Sequence, residues 1–432
     1  MALTYQQSKL VKDTIPALRE KGEQITTTFY KTMLRDHPEL NNYFNSVNQK
    51  NGRQPRALTS VILSFASNIN HTSELIPRLE RMCNKHCSLG IQPEHYGIVG
   101  KYLLGAFGEV LGAAMTPAVF AAWERAYWLL AKMLMGREAQ LYKGSEQWPS
   151  WREFRVDRVV RETDDIYSFY LAPRDGEKLP RFLPGQYVSL RIRGPDGHMQ
   201  ARQYSLSEAW RPDYYRISVK RDEGARYANS VSASYFHPGL VSNALIDHHT
   251  VPGSAAAAAA VVELSHPAGD FFLDVANTSS MPIVLISAGV GAAPMVAIAD
   301  TVAATQPGRA VSWIQGARTG PVPFAAHVAR LRREHGEQHH GRAASFRAAV
   351  FQTRPAPGDV AGVAFDHAGR VDLARLDPVR DLHLRSSGAE YYVCGPEAFM
   401  VDVSDYLRAR GVGPDRIKFE LFSTGDLASK RP

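Results

Sequence analysis

The spacing of apolar residues changes twice along this chain of 432 residues. Up to about residue 143, apolar side chains recur every three or four positions, as at Leu58, Ile62 and Phe65, which predicts helices and no strands. Between residues 154 and 223, short alternating segments are separated by Gly, Pro and Asp, a pattern typical of a small antiparallel barrel. From Pro282 onward, fully apolar strands alternate with helical segments, which predicts a parallel sheet.

These changes of pattern predict three domains of different fold class. We expect an all-α domain over 1–147, an antiparallel β-barrel domain over 152–275 and an α/β parallel-sheet domain over 281–432. The stretch "GSEQWPSW" at 144–151 is interpreted as a linker. Residues 224–240 look like a loop inserted in the barrel, and the alanine tract at 255–260 is a low-complexity segment without an assigned element.

Charge and cysteine content narrow the class of protein. The net charge is +7 and the pI is near 9.2, which predicts weak attraction to anions such as nucleotides, yet no nucleic-acid-binding motif is present. Three cysteines are too few for a disulfide framework, so we expect a reducing compartment. We recognise no signal-peptide core and no apolar run of membrane-spanning length, and therefore expect a cytoplasmic protein without stable membrane insertion.

The stretch "RMCNKHCSLG" at 81–90 is a candidate metal site. Cys83, His86 and Cys87 would share one face of a helix. Zinc needs four ligands and no second pair lies nearby, while covalent haem attachment needs C-x-x-C-H rather than the order seen here. A lone helical histidine is more often a surface or core residue than a ligand, so the residues alone leave the metal open.

A second candidate site is the segment "RQYSLS" at 202–207. A flavin needs an arginine near its pyrophosphate and backbone or hydroxyl groups along its ring. Arg202 suits the phosphate, Tyr204 the ring face and Ser205 the ring edge, with Gln203 between them. The turn in "LPGQYVSL" presents Tyr187 to the same site. The alternative is an amphipathic strand without a ligand.

Two glycine-containing turns are candidates for binding a dinucleotide. In "ISAGVGAAPM", an apolar strand is followed by glycines that let the backbone approach a pyrophosphate at a helix N-terminus. In "YYVCGPEAFM", a cysteine is expected beside the nicotinamide, and the alternative is a buried structural thiol. The candidate residues are Gly289, Val290, Gly291, Ala292, Ala293, Pro294, Cys394, Gly395 and Pro396.

Together these motifs resemble a known reductase module. R-x-Y-S, G-x-G-x-x-P, C-G-P and the terminal "FELFSTG" make residues 152–432 similar to the ferredoxin-reductase-type FAD/NAD(P)-binding family. The resemblance implies that Phe422 stacks on the flavin and that Ser242, in "VSNALID", lies near the FAD phosphates. The remaining candidates of the C-terminal segment are Glu420, Leu421, Ser423 and Thr424.

The first region resembles a globin of the flavohaemoglobin type, and the order of the three domains matches that family. The matching segments are "TTFYKTML", "LNNYFNSVNQ", "NGRQPRAL", "NKHCSLGIQPEHYGIVG" and "GREAQLY". The resemblance implies a haem b whose iron is bound by His86, with Glu138 and Tyr96 behind the imidazole. It also implies that Tyr30 and Gln54 donate hydrogen bonds to bound dioxygen.

Further roles follow from the same resemblance. Leu58 is expected to narrow the distal pocket, Phe44 to pack on the porphyrin and Lys85 to tune the haem potential or else to be solvent-exposed. Pro55 is expected to keep Gln54 out of helical geometry, at the mouth of the pocket. Cys83 and Cys87 are interpreted as packing residues of the same helix, with a redox pair as the alternative.

The function implied by the resemblance is nitric oxide dioxygenase. Electrons would pass from NADH or NADPH to FAD and on to haem b, where O2 converts NO to nitrate, in a monomer that needs no partner protein. The alternatives are a haem-based gas sensor or oxygen carrier with a weakened reductase, and a flavin reductase for external acceptors. "GVGAAP" instead of the family's G-V-G-Q-T-P, and "ELFSTG" instead of E-x-F-G-P, are expected to alter dinucleotide affinity and the turn beneath the flavin.

Overall fold

The computed structural model describes residues 3–45, 49, 52–228, 234–237, 239–250, 261–276, 280–336 and 345–422. The fold class predicted from the sequence is confirmed: a helical domain is followed by an antiparallel and then a parallel sheet. The α-helices of the first part are α1 (Tyr5–Asp13), α2 (Ile15–Asp36), α3 (Arg53–Ser67), α4 (Ile76–Leu89), α5 (Pro93–Leu111) and α6 (Pro117–Lys143).

Local sequence signals set the ends of these helices. Thr4 forms a capping box with Gln7, and the Thr116 hydroxyl accepts from the Val119 N–H at the start of α6. Helix α4 ends at Gly90, whose φ of 78° is the left-handed conformation that stops a helix. These caps satisfy backbone groups that the helices themselves leave unpaired.

The helical core is formed mainly by α2, α3, α5 and α6. Helix α2 packs on α3 and α5, and α6 packs on α4 and α5. At Gly100 of α5, an added Cβ atom would lie 2.5 Å from the Tyr127 ring, so only glycine permits this approach of α5 to α6. Buried aromatic residues such as Phe29, Phe107 and Trp123 fill the space between the helices.

One helix is more apolar than the sequence analysis recognised. Among the described residues, Pro93–Ala114 is long and apolar enough to cross a membrane, by length and composition alone. Glu94, Lys101 and Glu109 interrupt its apolar residues, so it is not a continuous apolar run in the sequence. Helix α5 packs between α2 and α6 in the helical core.

The second domain is built on a six-stranded antiparallel sheet in the order β4-β3-β8-β1-β2-β5. An isolated bridge between Leu206 and Ile217 joins the segment after β4 to β5 and so closes the sheet into a barrel. Helix α7 (Leu240–Thr250) packs on β1, β4 and β5. The strands are β1 (Arg152–Arg161), β2 (Ile166–Pro173), β3 (Tyr187–Arg193), β4 (Met199–Ser205), β5 (Tyr215–Lys220) and β8 (Val261–Leu264).

The segment 224–240 is not simply a loop. Strands β6 (Ala225–Ala228) and β7 (Ser234–His237) pair antiparallel, and α7 begins at Leu240. The loop prediction is therefore wrong for these positions, because cross-strand pairing supplies the regularity that the local sequence pattern lacks. The alanine tract at 255–260 lies outside the described residues.

The third domain is a parallel sheet in the order β12-β11-β10-β9-β13-β14, and α-helices follow its strands β9, β10 and β13. Its strands are β9 (Ile283–Ala288), β10 (Val311–Ala317), β11 (Phe346–Gln352), β12 (His367–Ala368), β13 (Glu390–Cys394) and β14 (Ile417–Glu420). Its helices are α8 (Ala293–Thr305), α9 (Ala325–His335) and α10 (Glu397–Arg408). The carboxyl ends of β9, β13 and β14 therefore lie side by side at one edge of the sheet.

Candidate functional site

His86 points its imidazole at a buried carboxylate carried by α6. Its Nδ1 lies 2.8 Å from Glu138 Oε1, and the Tyr96 hydroxyl donates to the same oxygen at 2.6 Å. Burial and the adjacent Glu138 raise the pKa of Tyr96, which keeps its proton available for donation. Because the carboxylate can only accept, Nδ1 carries the imidazole hydrogen and the Nε2 lone pair points away from this cluster.

The free nitrogen of His86 meets the requirement for binding a haem iron. Within the described residues, Nε2 makes no hydrogen bond, while 29% of the side chain is accessible. In the same part of the chain, no group of three His, Cys, Asp or Glu side chains is able to hold a metal ion. A metal at His86 would therefore have to bring its other ligands with it, as a porphyrin does.

Tyr30 and Gln54 are paired, as expected for a distal site. Gln54 Nε2 donates to the Tyr30 oxygen at 3.5 Å, which leaves the phenol hydrogen available to a ligand. Burial raises the pKa of Tyr30 to about 12, so the phenol stays protonated. The Phe44 ring stands edge-on to Tyr30 at 5.4 Å, and Leu58 packs against the helical core.

The prediction that Pro55 keeps Gln54 out of helical geometry is wrong. Gln54 and Pro55 are both in the first turn of α3, which begins at Arg53. Proline is tolerated there because the first N–H groups of a helix have no intrahelical acceptor. Gln54 therefore has a fixed backbone, and its amide lies against Tyr30.

Cys83 and Cys87 pack α4 against α6. Each sulfur lies 3.8 Å from a backbone carbonyl oxygen of α6, that of Leu134 or of Glu138. Both thiols are free, and burial raises the pKa of each to about 12. Protonated, enclosed thiols are poor nucleophiles and poor redox partners, so the geometry favours the packing interpretation.

The segment with Arg202, Gln203, Tyr204 and Ser205 lies on β4, beside β3. Tyr187 of β3 is opposite Ser205, and its ring packs against Gly269, whose φ of 121° requires glycine. Burial raises the pKa of both tyrosines and lowers that of Arg202. These phenols therefore remain neutral, hydrogen-bonding surfaces suited to a flat ring.

Arg202 is a partly buried cation that makes no salt bridge with any described residue, although the charge of Asp222 acts on it. Within the described residues, its guanidinium donates only to the Ala201 carbonyl, at 2.7 Å. A desolvated cation gains when an anion is added, and a pyrophosphate is such an anion. Ser242 lies in the first turn of α7, which packs on β4, so its hydroxyl is in the same region. The residues thus fit a bound flavin dinucleotide.

The two glycine-containing turns touch each other at the edge of the parallel sheet. Gly289 has a φ of 58°, and it starts a 3-10 turn, Gly289–Ala292, that contains Val290 and leads into α8. A Cβ atom on Gly291 would lie 2.5 Å from the Cys394 carbonyl oxygen, so this contact needs glycine. Pro294 lies in the first turn of α8, whose N-terminus suits a pyrophosphate.

The side chains around these turns are enclosed. Ala292 and Ala293 are 0% and 1% exposed, so their methyl groups face the core rather than the edge of the sheet. Cys394 is also buried, which raises the pKa of its thiol, and Gly395 and Pro396 lead from it into α10. The altered "AA" positions therefore contribute core packing, while the backbone remains at the edge of the sheet.

The C-terminal segment adds Glu420 to the same edge. Glu420 of β14 is paired with Cys394 of β13, and burial, reinforced by Asp270, raises its pKa to about 8. Leu421 packs against the core of the sheet, and Phe422 is 52% exposed, so its ring is available to cover a ligand. Ser423 and Thr424 lie outside the described residues.

Lys85 of α4 lies close to Arg202 of β4, at the boundary between the helical domain and the barrel. Burial, followed by the nearby charge of Arg202, lowers the pKa of Lys85, while Glu420 acts in the opposite direction. Lys85 is therefore within electrostatic range of both the flavin strand and the C-terminal segment. Lys85 is half-buried, which disfavours simple solvent exposure, and its tuning of the haem potential stays a prediction.

Comparison with known proteins identifies the family. Residues 27–134 match the globin family and residues 285–405 the oxidoreductase NAD-binding domain. The chain is 40% identical over 425 residues to a flavohemoprotein of Bordetella parapertussis, covering 97% of this chain and 98% of that protein. It is 42% identical over 426 residues to one of Deinococcus radiodurans, covering 97% of each. This chain belongs to the flavohaemoprotein family.

A solved structure of the family extends the likeness to the whole fold. The crystal structure of flavohemoglobin from Malassezia yamatoensis, which has bound FAD and heme, matches with a TM-score of 0.78 at 28% identity. The match covers 98% of this chain and 100% of that chain. The three-part architecture of this flavohaemoprotein is therefore shared over nearly its full length.

Some residues at the domain junction of this flavohaemoprotein were missed by the sequence analysis. Gln203 Nε2 donates to Ser189 Oγ, Ser189 Oγ donates to Ser88 Oγ, and Ser88 Oγ donates to the Lys85 carbonyl, each at 2.9 Å. The Gly269 N–H also donates to Asn84 Oδ1 at 2.9 Å. No motif marks these serines, because their partners lie about one hundred residues away in the chain.

Proposed function

We propose that this flavohaemoprotein is a nitric oxide dioxygenase that uses NAD(P)H, FAD and haem b. Each nitric oxide takes up both atoms of one dioxygen and one electron to give one nitrate ion. The hydride of one NAD(P)H supplies two such electrons and leaves one proton. The observation that carries the proposal is that α4 holds His86 against the buried Glu138 on one side and contacts the flavin-binding barrel on the other.

The candidate residues divide among three cofactors. His86 Nε2 would bind the haem iron, and Tyr187, Arg202, Tyr204, Ser205 and Ser242 would hold the FAD. The turns around Gly291 and Cys394 would receive the nicotinamide dinucleotide. When bound, the flavin converts a hydride into single electrons, and the haem iron supplies the centre at which the two gases react.

The residues behind His86 favour oxygen activation over reversible carriage. Glu138 accepts the Nδ1 hydrogen and so increases the electron density on the imidazole. Tyr96 holds the carboxylate in place with a short hydrogen bond, and the Tyr127 hydroxyl in turn donates to the Tyr96 carbonyl. A fixed acceptor of this kind would make the imidazole a stronger electron donor to a haem iron bound at His86 Nε2.

On the opposite side, Tyr30 provides a hydrogen-bond donor to negative charge that develops on oxygen. Its phenol is protonated, buried and oriented by Gln54. A preorganised, buried donor stabilises charge more than a mobile water would. We also propose that the substrates are only the small molecules O2, NO and NAD(P)H, and that the protein acts as a cytoplasmic monomer.

The experiment that tests this function starts from the purified holoprotein without air. We expect NADH or NADPH to bleach the flavin bands and then shift the haem bands to the ferrous form, and NO to be consumed once air is present. The variant His86→Ala should lose NO consumption but keep NAD(P)H reduction of an artificial acceptor. Spectra that do not respond to either nucleotide would instead favour the sensor or carrier alternative.

A matched control separates loss of the ligand from loss of the helix. Cys87→Ala changes the neighbouring position of α4 and leaves the imidazole in place, so it should retain NO consumption. Equal loss of NO consumption and acceptor reduction in His86→Ala would contradict a path that runs from nucleotide through flavin to haem. Retained NO consumption in the same variant would contradict the assignment of His86.

A further inference from the structure

A buried arginine links the barrel to the nucleotide domain. Arg216 is on β5, and its side chain is 1% exposed. Within the barrel, the guanidinium donates to the Ser207 carbonyl at 3.1 Å, to Glu162 Oε1 at 2.6 Å and to Ser168 Oγ at 3.1 Å. A charge this deeply buried is stable only when its hydrogen bonds are directed to fixed acceptors.

The same guanidinium crosses the boundary to the α/β domain. Arg216 Nη1 lies 3.1 Å from His327 Nε2, at the start of α9. An arginine has donors only, so His327 Nε2 must be the acceptor and the imidazole must be neutral, with its hydrogen on Nδ1. The contact therefore exists only with unprotonated His327.

The backbone at the start of α9 is shaped for this contact. Phe324 has a φ of 61°, a left-handed conformation that is unfavourable for a bulky side chain. This conformation brings its fully buried ring to 5.4 Å from the guanidinium carbon of Arg216, while Tyr170 of the barrel stacks at 5.5 Å. The cation thus lies within 5.5 Å of one aromatic ring from each domain.

The contact joins the two segments that must cooperate in hydride transfer. Ser207, whose carbonyl accepts from Arg216, is two residues beyond Ser205 of the flavin strand. Strand β5 also contacts the turn Gly289–Ala292, from which α8 begins. Helix α8 in turn carries Asp300, which is bonded by Arg330 of α9. A shift of His327 would move the nucleotide turn relative to the flavin segment.

The charges around His327 come from every element packed against it. Arg216 faces it from β5, Asp300 Oδ2 from α8 at 3.9 Å, and Arg330 from its own helix, α9. Burial together with the two arginines lowers the pKa of His327 to about 4, so the imidazole is neutral at physiological pH. A permanent positive charge at this position would repel Arg216 directly.

We propose that Arg216 and His327 are positioning residues that fix the nucleotide domain on the flavin barrel and thereby set the geometry of hydride transfer. This inference rests on the proposed function only in assuming that NAD(P)H reduces the flavin. An ion pair between Arg216 and Glu162 alone would stabilise the barrel but would have no need of His327. The proposal therefore predicts effects of His327 substitutions that a purely structural role of Arg216 does not.

The test compares His327→Gln with His327→Lys in the full-length holoenzyme. Glutamine retains a neutral acceptor, so anaerobic reduction of the flavin by NADH should stay within about twofold of wild type. Lysine replaces the acceptor with a cation, so the rate should fall by about tenfold or more. His335→Lys carries the same change about two turns further along α9 and should behave as wild type.

A second readout does not depend on turnover. The His327 and Val328 N–H groups donate to the Phe324 carbonyl at 2.9 and 3.1 Å. Their amide hydrogen exchange should be about tenfold faster in His327→Lys and unchanged in His327→Gln. Transfer from chemically reduced flavin to haem, and NO consumption driven that way, should be equal in all variants, which separates this proposal from the proposed function.

Three results would overturn the proposal. Wild-type flavin reduction in His327→Lys is the first, and equally slow reduction in His327→Gln is the second. The third is a parallel loss of flavin-to-haem transfer in His327→Lys, which would indicate a general structural defect. If the lysine variant does not yield folded holoenzyme, His327→Leu takes its place, and a wild-type hydride-transfer rate in that variant would also contradict the proposal.

Discussion

The barrel is joined to its two neighbouring domains by contrasting kinds of contact. On the helical side, polar contacts are spread over several residues: Ser88 with Ser189, Asn84 with the Gly269 N–H and Asn42 with the Met199 N–H, besides a partly exposed ion pair of Arg81 with Asp270. On the nucleotide side, Phe271 packs against Tyr392, whose hydroxyl donates to the Phe272 carbonyl at 3.4 Å, and the one deeply buried charge among the described contacts is Arg216. Distributed contacts tolerate single losses, whereas one buried charge does not.

This difference agrees with what each boundary has to do. Electrons pass between flavin and haem over a range of distances, so the helical boundary needs proximity and little else. Hydride transfer needs the two rings in contact and aligned, because a proton and two electrons move together. A single, stereochemically demanding group at the second boundary suits that requirement.

The largest expected effect on stability comes from Arg216, at the boundary between the barrel and the nucleotide domain. Arg216→Met removes the cation and leaves Glu162 buried without its partner, so the barrel should lose about 3–5 kcal/mol of unfolding free energy. The urea midpoint of barrel unfolding measures this loss. Arg155→Met, which breaks an exposed pair with Asp157, is the control and should cost less than about 1 kcal/mol.

The next largest effect concerns the side of α4 on which His86 contacts Glu138, opposite the side that contacts the barrel. In Glu138→Gln, one amide replaces a carboxylate that accepts from both His86 and Tyr96. We expect NO consumption to fall by about 10- to 100-fold, with flavin reduction unchanged. If flavin reduction fell to the same extent, the contact of His86 with Glu138 and the contact of α4 with the barrel would not be independent.

The pH dependence of the unfolding free energy tests the boundary between the barrel and the nucleotide domain through His327. Its pKa is about 4 when folded and about 6.5 when unfolded. Between pH 6.5 and 4, the His327 imidazole is protonated in the unfolded chain but not in the folded protein. Stability is therefore lost as the pH falls through this range. We expect wild type to lose about 2 kcal/mol relative to His327→Gln over that window.

Comparing wild type with His327→Gln isolates the contribution of His327 to the pH dependence of stability. Burial raises the pKa of Asp300 to about 6, which acts in the opposite direction, and the buried His266 has a pKa of about 4. Both groups are present in wild type and in His327→Gln, so the difference removes the part of their contributions that does not depend on His327. Parallel stability curves for the two proteins would contradict the neutral state assigned to His327.

The smallest expected effect comes from Ser189, at the boundary between the helical domain and the barrel. Ser189→Ala removes one link of the chain from Gln203 to Ser88, and the unfolding free energy should change by about 1 kcal/mol. Flavin-to-haem transfer, measured by stopped flow, should slow by less than about threefold. A loss as large as that of Arg216→Met would show that this boundary is not distributed.

Much of the architecture is visible in local sequence. A period of three to four residues predicted the helices, alternation predicted the barrel and apolar strands predicted the parallel sheet, because each pattern reflects which face of one element is buried. Gly289 and Gly291 were identifiable because a tight turn and a close backbone approach need residues without a Cβ atom. The likeness of the globin segments identified His86, Tyr30 and Glu138 as candidates without showing how they meet.

What the tertiary structure decided is which distant residues meet. Glu138 reaches His86 across 52 positions, and Arg216 reaches His327 across 111. The helical backbone of Gln54 and the burial of Ala292 likewise depend on neighbours that are remote in sequence. The sequence determined the elements and their order, since those follow from local periodicity. The pairing of side chains between elements follows only from how the elements pack in three dimensions.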